Sequence, residues 1–338
     1  MVTIRDIARE AECSVSTVSR ALSGHQDVSA DTRARVLTVV EKYNYVQNRF
    51  AQGLKQTRSS TIGVVVKGRE NYMFAAILEM IQAGLSDAGL LAAVEYVGAV
   101  DDEVSAGVQM SHRLRPAGLV FLGGEARRFD AGFDRIGLPT VVLTDSVAEV
   151  ARPGLSSAFT DDAAGAASAV SYLVERGHRR IGVVAGPVEL SDASRLRLEG
   201  CLQAFHAQGI DFDRERDMVR SLYAMPDSYK ATRTLVGRRS DLTAIFCMSD
   251  RMAMGCVRAL QDMSLSVPRD VSVMGYDGID LTAYFLPRIA TIRQDQRQLA
   301  ATGVALMVRH LGGDLTPAHV RVPFTLVEGE SVASPARA

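Results

Sequence analysis

The chain has 338 residues with a formal net charge of −1 at pH 7, and 47% of them are hydrophobic. This length predicts two or three folding units with sizeable cores, and the near-neutral charge argues against a polycation that coats nucleic acid. The sequence has no run of 18 apolar residues, so we expect no membrane span. It starts with the charged stretch MVTIRDIARE where a signal peptide needs apolar residues, so we expect a cytoplasmic protein. Four scattered cysteines predict reduced, mostly buried thiols.

Residues 3–45 predict three short helices. Thr3, Ser14 and Ser29 are suitable N-caps, and apolar residues at helical spacing follow each of them, with Tyr43 as the last one to face inward. The first two helices are separated by about three residues, which is typical of a helix-turn-helix. The net charge is +3 over residues 1–58 and −4 over the rest, so the charge distribution favours a DNA-binding unit at this end.

The second of these helices lies in the stretch SVSTVSRAL, residues 14–22. Val18 and Leu22 can pack against the first helix, whereas the serine and threonine hydroxyls suit phosphate oxygens. Arg20 suits a guanine edge or a phosphate. This pattern indicates a DNA-recognition helix, although the stretch alone is equally compatible with a solvated amphipathic helix. Residues 46–60 then form a polar, basic linker in which Leu54 is an isolated large apolar residue.

From Thr61 onward the sequence alternates between short apolar strands and amphipathic helices. This alternation predicts parallel βαβ units. Ile62-Gly63-Val64-Val65 recurs at residues 181–184, which predicts two similar α/β lobes with a ligand cleft at the carboxyl ends of their strands. The predicted strands cover residues 61–66, 91–97, 117–123, 139–145, 180–186, 242–248 and 270–277.

Four motifs give the chain a resemblance to the LacI/GalR family of bacterial transcription regulators. They are T-I-R-D-I-A at 3–8, S-x-x-T-V-S-R-A-L at 14–22, V-S-x-x-T-R-x-R-V at 28–36 and N-Y-V-x-N at 44–48. The resemblance continues to about Gly329. It implies an N-terminal all-α helix-turn-helix head and an α/β body of the periplasmic-binding-protein-like type I fold, built from two Rossmann-like subdomains. The implied boundaries are 1–46 for the head, 47–60 for the hinge, 61–158 with 290–325 for the first subdomain and 159–289 for the second.

The resemblance also implies a function. We expect a homodimeric, repressor-type regulator of carbohydrate-related genes that binds pseudo-palindromic operator DNA. A small molecule, most simply a sugar or sugar derivative, would bind between the subdomains and control DNA affinity, and no cofactor is needed. The alternative is a stand-alone sugar-binding protein, but that class predicts a signal peptide and no helix-turn-helix.

Individual DNA-contacting residues follow from the same resemblance. Ser14, Thr17 and Ser19 are expected to hold phosphates, and Val15, Ser16 and Arg20 to face bases. Asn48 begins a hinge helix that the family is thought to order on DNA, and Leu54 is the leucine that wedges between base steps. Glu12 stands in a turn where the family usually has glycine, so the head is expected to carry backbone strain of about 1–2 kcal/mol there.

The effector-binding residues are likewise those that match family segments. In the first lobe they are Asn71, Tyr72 and Phe74, together with Asp145 and Phe159, which fall at positions that line the pocket in some relatives. In the second lobe they are Arg197, Ser249, which replaces a common asparagine, and Asp277. The alternatives are a core role for Phe74, a surface ion pair for Arg197 and a turn or cap for Asp277.

Catalytic chemistry has little support in the sequence. It contains no GxSxG, Walker, HExxH or strand-linked GxGxxG motif, and its six histidines lack metal-ligand spacing. We therefore expect neither an enzyme nor a metal site. His178 is interpreted as a helix C-terminal cap, Asp250 as a helix N-cap and the ending SVASPARA as a flexible tail.

Overall fold

The computed structural model describes residues 4–22, 27–43 and 59–335. The chain forms two compact units, Met1–Ser59 and Ser60–Ala338. Within the described residues, no helix combines the length and apolar character needed to cross a membrane. The three cysteines of the second unit are buried free thiols, as predicted: Cys201, Cys247 and Cys256.

The described part of the first unit contains three helices, as the capping pattern predicts: α1 (Ile4–Glu10), α2 (Val15–Leu22) and α3 (Ala30–Lys42). Ser14 and Ser29 cap α2 and α3, since their hydroxyls accept from Thr17 N at 3.1 Å and Thr32 N at 3.3 Å. Thr3 lies outside the described residues. The core of this unit consists of Ile7, Ala8, Ala11, Val18, Ala21, Val36 and Val39.

Two details of the first unit bear on the predictions. Glu12 has φ = +49°, so the non-glycine turn residue does adopt the strained left-handed conformation. Tyr43 does not face inward as predicted; it is 38% exposed, and its hydroxyl donates to Glu10. The reason is that Tyr43 follows the end of α3, where its side chain reaches α1 instead of the core.

The second unit begins with a six-stranded parallel sheet in the order β11-β5-β4-β3-β1-β2. Strands β1 to β4 of this sheet are nearly continuous apolar runs because helices cover both faces of the sheet. This first lobe contains β1 (Thr61–Lys67), α4 (Tyr72–Asp87), β2 (Leu91–Val97), α5 (Glu103–Leu114), β3 (Gly118–Leu122), α6 (Ala126–Ile136), β4 (Thr140–Thr144), β5 (Leu155–Phe159), α13 (Gln296–Leu311) and β11 (His319–Arg321).

The second lobe has a sheet of the same size in the order β12-β10-β9-β8-β6-β7, parallel except for the antiparallel β10–β12 pair. Its elements are α7 (Asp162–Glu175), β6 (Ile181–Ala185), α8 (Asp192–Ala207), α9 (Arg214–Asp217), β7 (Met218–Arg220), α10 (Met225–Arg238), β8 (Ala244–Cys247), α11 (Asp250–Asp262), β9 (Ser272–Asp277), α12 (Leu281–Tyr284), β10 (Ala290–Gln294) and β12 (Phe324–Val327).

The repeated Ile-Gly-Val-Val sequence lies at equivalent places in the two lobes. It forms β1 and β6, and each is the fifth strand in the order of its sheet. All seven strands predicted from sequence are present. The described residues contain five additional strands, β5, β7, β10, β11 and β12, which are short or interrupted by polar residues.

The first two crossings between the lobes come later in the chain than the predicted boundaries. Phe159 is the last residue of β5 in the first sheet, and residues 290–294 form β10 in the second sheet, where Ala290 pairs with Met274. These crossings follow Phe159 and Gln294, because the chain completes β5 and β10 before it changes lobe. The third crossing lies between β11 and β12, before the predicted boundary at residue 325, because Phe324 and Thr325 already pair with β10 of the second sheet.

The segment expected to be a flexible tail is part of the second lobe. Ser331 is fully buried, and its carbonyl accepts from Val273 N at 2.8 Å while its hydroxyl donates to Val273 O at 2.6 Å. His178, expected as a helix cap, also belongs to this packing. Its ring nitrogens lie 3.0 Å from Thr243 Oγ1 and 2.8 Å from Ala333 O, so it fastens the C-terminal segment to the sheet.

Candidate functional site

A cavity of about 410 Å³ lies between the two lobes of the second unit. Loops at the carboxyl ends of the parallel strands form its walls, as expected for this type of α/β fold. Seven of the eight predicted effector residues line it: Asn71, Tyr72, Phe74, Asp145, Arg197, Ser249 and Asp277. These residues come from both lobes and from five separate segments of the chain, so the fold brings together positions that are far apart in sequence.

Arg197 is almost fully buried in the cavity wall, and its side chain is only 6% exposed. Its Nε donates to Asp162 at 2.8 Å, a second nitrogen lies 3.4 Å from Asp277, and the guanidinium stacks on the Tyr276 ring at 3.9 Å. Burial disfavours the charge, but Asp162 and Asp277 outweigh it and raise the pKa of Arg197. The surface ion pair considered from sequence is therefore a buried one.

Asp277, the last residue of β9, is the cavity-side partner of Arg197. Its backbone has φ = +109°, a strained conformation for a residue with a side chain. Gln294 donates to its carboxylate at 3.1 Å. Burial raises the pKa of Asp277 to about 6, against the opposing influence of Arg197. The carboxylate is thus oriented from two sides while its cavity side stays available to a ligand.

The first-lobe wall is built around the start of α4. Asn71 caps this helix by accepting from Met73 N at 3.1 Å and Phe74 N at 3.3 Å. Phe74 is only 8% exposed, so it is a core residue whose ring also reaches the cavity. Tyr72 is 43% exposed. The wall therefore offers aromatic surface on a helix fixed by its cap.

Asp145 follows β4 and completes this wall. Its carboxylate accepts from Gly124 N at 3.1 Å and Thr144 Oγ1 at 3.2 Å. Thr144 has φ = +77°, which is unusual for a β-branched residue. Burial raises the pKa of Asp145 to about 7, and the nearby Asp162 carboxylate adds to the shift. Asp145 thus changes charge near neutral pH.

Two interpretations drawn from the sequence are wrong at this site. Phe159 is not among the residues that line the cavity; it is the last residue of β5, where it pairs with Thr144 of β4 and Arg321 of β11. Asp250 is not the cap of α11; Ser249 is, accepting from Met252 N at 3.2 Å. Asp250 is fully buried and accepts from Thr291 Oγ1 and Ile279 N, at 2.6 and 2.9 Å, because the first turn of α11 faces β10 and the end of β9.

Several charged cavity residues were not found from sequence: Lys67, Glu70, Glu125, Asp192 and Arg251. Lys67 bridges Glu103 and Glu125 at 3.0 and 2.8 Å, and Arg128 joins the same two carboxylates at 2.8 and 3.3 Å. Lys67 could have been found from sequence, because it is a charged residue at the end of the apolar strand TIGVVVK. Within the described residues no cluster of potential ligands could hold a metal ion.

The predicted DNA-contacting residues of the first unit share α2 and its cap. Ser14, Val15, Ser16 and Arg20 are exposed, and Thr17 and Ser19 are partly exposed. The Ser14 hydroxyl lies 2.7 Å from that of Ser16 and 2.8 Å from that of Thr17. Arg20 forms a 3.2 Å ion pair with Asp27. Asn48 and Leu54 lie outside the described residues.

The chain combines a helix-turn-helix, whose second helix exposes hydroxyls and an arginine, with a two-lobed α/β unit that encloses a cavity. This combination defines a class of transcriptional regulators. Residues 3–48 match the family model "Bacterial regulatory proteins, lacI family", and residues 170–332 match the "Periplasmic binding protein-like domain". The chain is 34% identical over 337 residues to the HTH-type transcriptional regulator MalR of Clostridium butyricum, covering 98% of this chain and 99% of that protein.

Solved structures agree with this assignment. The Lac repressor dimer bound to operator and the anti-inducer ONPF has a TM-score of 0.83 and 26% identity, with 98% of this chain and 99% of that chain covered. The complex of the transcriptional regulator CelR with cellobiose has a TM-score of 0.72 and 26% identity, with 98% and 100% covered. The chain belongs to the lacI family of bacterial regulatory proteins; it is a DNA-binding transcriptional regulator and not an enzyme.

Proposed function

We propose that this regulator is a homodimeric repressor that binds a pseudo-palindromic operator and is controlled by a sugar bound between its two lobes. The observation that supports the sugar site most directly is the Arg197–Asp277 pair, buried and oriented in the cavity wall. Carboxylates accept hydroxyl hydrogens and a guanidinium donates to hydroxyl oxygens, so the pair suits a polyol.

The rest of the cavity supports the same ligand class. Asp145 adds a second acceptor, Ser249 a small hydroxyl, and Phe74 and Tyr72 an apolar surface for the flat face of a sugar ring. CelR, which shares 26% identity with this chain, was solved with cellobiose. Asn71, already used as a helix cap through its carbonyl oxygen, still has its amide hydrogens for a ligand.

On the DNA side, the proposal assigns phosphate contacts to Ser14, Thr17 and Ser19. Val15, Ser16 and Arg20 would face base edges in the major groove. Residues 1–46 would act as the head and 47–60 as the hinge, with Asn48 at its start and Leu54 as a minor-groove wedge. Because its DNA target is in the cytoplasm, we expect the protein to act there.

An exposed apolar patch on the second lobe supports the dimer. Leu281, Tyr284 and Leu286 are 46%, 87% and 82% exposed within six consecutive residues. Clustered apolar exposure of this kind marks interaction surfaces. A two-fold dimer through this patch would present two heads to the two half-sites of a palindrome.

The experiment that tests this function combines ligand screening with operator binding. Thermal unfolding of the full chain is measured against a panel of neutral and phosphorylated sugars; a ligand at about 100 times its Kd adds about 2.7 kcal/mol of stability. A stabilising sugar must then change the affinity of the protein for operator DNA in a gel shift. A sugar that binds without any effect on DNA affinity would favour the stand-alone sugar-binding protein instead.

The hinge role is tested separately by Leu54→Ala. Loss of a wedge removes the contacts that depend on bent DNA, so specific binding should weaken far more than nonspecific binding. Equal losses on operator and random DNA would contradict a wedge at this position.

A further inference from the structure

Arg251 joins the two lobes at one end of the cavity. It is the second residue of α11 in the second lobe, yet it donates to Glu70 O at 2.7 Å and pairs with the Glu70 carboxylate at 2.7 Å, both in the first lobe. Its guanidinium also lies 5.1 Å from the centroid of the Tyr72 ring. A contact to Tyr223 O at 3.1 Å anchors it in its own lobe. We call these contacts the Arg251 clasp.

The clasp is well built for a cross-lobe contact. The Arg251 side chain is only 12% exposed, although Glu70 is 74% exposed. A guanidinium can hold several acceptors and an aromatic face at once because its donors lie in one plane. The Arg251 guanidinium makes four contacts at once, so the arginine side of this pair is held more firmly than in an isolated surface ion pair.

The clasp lies at some distance from the segments that connect the two lobes. The chain crosses between lobes after β5, β10 and β11, which lie at or beside one edge of their sheets. Glu70 follows β1, three strands away from β5, and Arg251 follows β8, two strands away from β10. At about 4.8 Å per strand, the contact lies roughly 10–14 Å from the crossings. A contact at that distance resists opening of the lobes.

The clasp also acts on the segment that forms the first-lobe wall of the cavity. Glu70 and Tyr72 flank Asn71, which caps α4 and thereby orients Phe74. Holding Glu70 and Tyr72 from the opposite lobe fixes residues 68–74 before a ligand enters. Such preorganisation raises apparent affinity, because a site that is competent only part of the time binds more weakly by that fraction.

From these contacts we propose that Arg251 is a positioning residue of the effector site: it clasps Glu70 and Tyr72 across the cleft and holds the cavity in its binding-competent form. This inference rests on the proposed effector function of the same cavity. Arg251 acts through the first-lobe loop, and the ligand contacts remain those of Arg197, Asp277 and the aromatic wall. Removing it weakens sugar binding without removing any of those groups.

The test compares three variants of the full-length protein with a matched control. Arg251→Met removes the guanidinium but keeps the apolar stem, and Glu70→Gln removes only the partner charge. The double exchange Arg251→Glu with Glu70→Arg restores the ion pair with its charges reversed. Arg176→Met is the control, because Arg176 also pairs with a glutamate (Glu328, 2.8 Å) and stacks on a tyrosine (Tyr172, 4.8 Å), but entirely within the second lobe.

The first readout needs no ligand. Hydrogen exchange of residues 68–74, followed by mass spectrometry, should become about tenfold faster in Arg251→Met and severalfold faster in Glu70→Gln. The charge-exchanged double variant should recover part of the protection, and Arg176→Met should leave the segment unchanged. Equal exchange in wild type and Arg251→Met, or equal acceleration by Arg176→Met, would overturn the clasp.

The second readout is sugar affinity, measured by calorimetry with whichever member of the sugar panel stabilises the wild type. Arg251→Met and Glu70→Gln should both weaken binding, and the two effects should be non-additive because they share one contact. Weaker binding in Arg251→Met alone, with unchanged exchange, would make Arg251 a direct ligand contact and overturn the positioning role. If no sugar stabilises the wild type, the proposed sugar function fails, whereas the exchange result still decides the clasp.

Discussion

Arg197 and Asp277 lie 3.4 Å apart in the cavity wall, and each is held by a further buried partner, Asp162 for the arginine and Gln294 for the aspartate. The four groups come from four separate elements of the second lobe, namely α8, β9, α7 and β10. A ligand that reaches this pair meets groups already oriented, which reduces the entropy cost of binding. The same arrangement makes the pair important for stability.

The first prediction concerns this stability. Arg197→Met leaves the Asp162 and Asp277 carboxylates buried without their cation, which typically costs about 3–5 kcal/mol. The urea midpoint of the body transition should fall accordingly. Adding Asp162→Asn should recover part of the loss, because a neutral amide replaces the stranded charge, but sugar binding should remain absent. An unchanged midpoint in Arg197→Met would show that the ion pair contributes no net stability.

The second prediction is a pH dependence that arises at Asp145. Its pKa is about 7 in the folded protein and about 3.9 in an unfolded chain, so the folded state binds more protons between these values. Stability should therefore fall as the pH rises from about 4 to about 7, by up to about 1.4 kcal/mol per pH unit. Asp277, with a pKa of about 6, contributes in the same direction over a narrower window.

Urea denaturation at pH 5 and pH 7.5 measures this effect. Asp145→Asn, which stays neutral, should lose less stability than the wild type between the two pH values. Asp134→Asn is the matched control, since that carboxylate is 77% exposed. The same pH dependence in wild type and Asp145→Asn would contradict a titrating carboxyl at this position.

The body could be predicted from sequence wherever local pattern determined the outcome. The seven apolar strands and the repeated Ile-Gly-Val-Val sequence indicated two parallel sheets, because buried parallel strands need continuous apolar residues. The short strand Met218–Arg220 depends on long-range pairing with β6, so its local sequence does not predict it. Ser331 shows the same limit: its segment reads as a polar tail, but the sheet supplies its hydrogen-bond partners.

The site divides in a similar way. Asp277 follows an apolar strand, and the family resemblance marked Arg197 and Asp145, so all three could be found. The roles of Arg251 and Glu70 could not be predicted from sequence, because the two residues are distant in the chain and meet only where the two lobes face each other. Phe159 shows the reverse error: its position in the sequence suggested an aromatic lining residue, but the cavity is lined without it.

The third prediction concerns the strained turn of the first unit. Glu12 adopts φ = +49°, a conformation that costs a residue with a side chain about 1–2 kcal/mol and glycine almost nothing. Glu12→Gly should therefore stabilise α1–α3 by about 1 kcal/mol, after the greater entropy of glycine in the unfolded chain is deducted. Native-state hydrogen exchange of the Ile7 and Val18 amides in the full chain measures this. Faster exchange in the variant would mean that the Glu12 side chain contributes more than the strain costs.

The fourth prediction concerns the recognition helix. The Asp27 carboxylate lies 3.2 Å from Arg20, and the two side chains are 55% and 58% exposed, so the pair is easily exchanged for a DNA contact. Asp27 also brings a negative charge close to the helix surface proposed to meet phosphates. Asp27→Asn should therefore tighten binding to random DNA, and the salt dependence of binding should steepen by up to about 0.9 in log–log slope if Arg20 gains one phosphate.

Operator discrimination should fall in the same variant, because an arginine released from Asp27 can contact any phosphate as well as the base proposed for it. Asp31→Asn is the matched control: it removes one exposed acidic charge from the first turn of α3 without touching the Arg20 pair. Filter binding of operator and random duplexes over a range of salt concentrations measures both quantities. If Asp31→Asn gave the same changes as Asp27→Asn, net charge alone would explain them, and the Arg20–Asp27 pair would have no role in sequence discrimination.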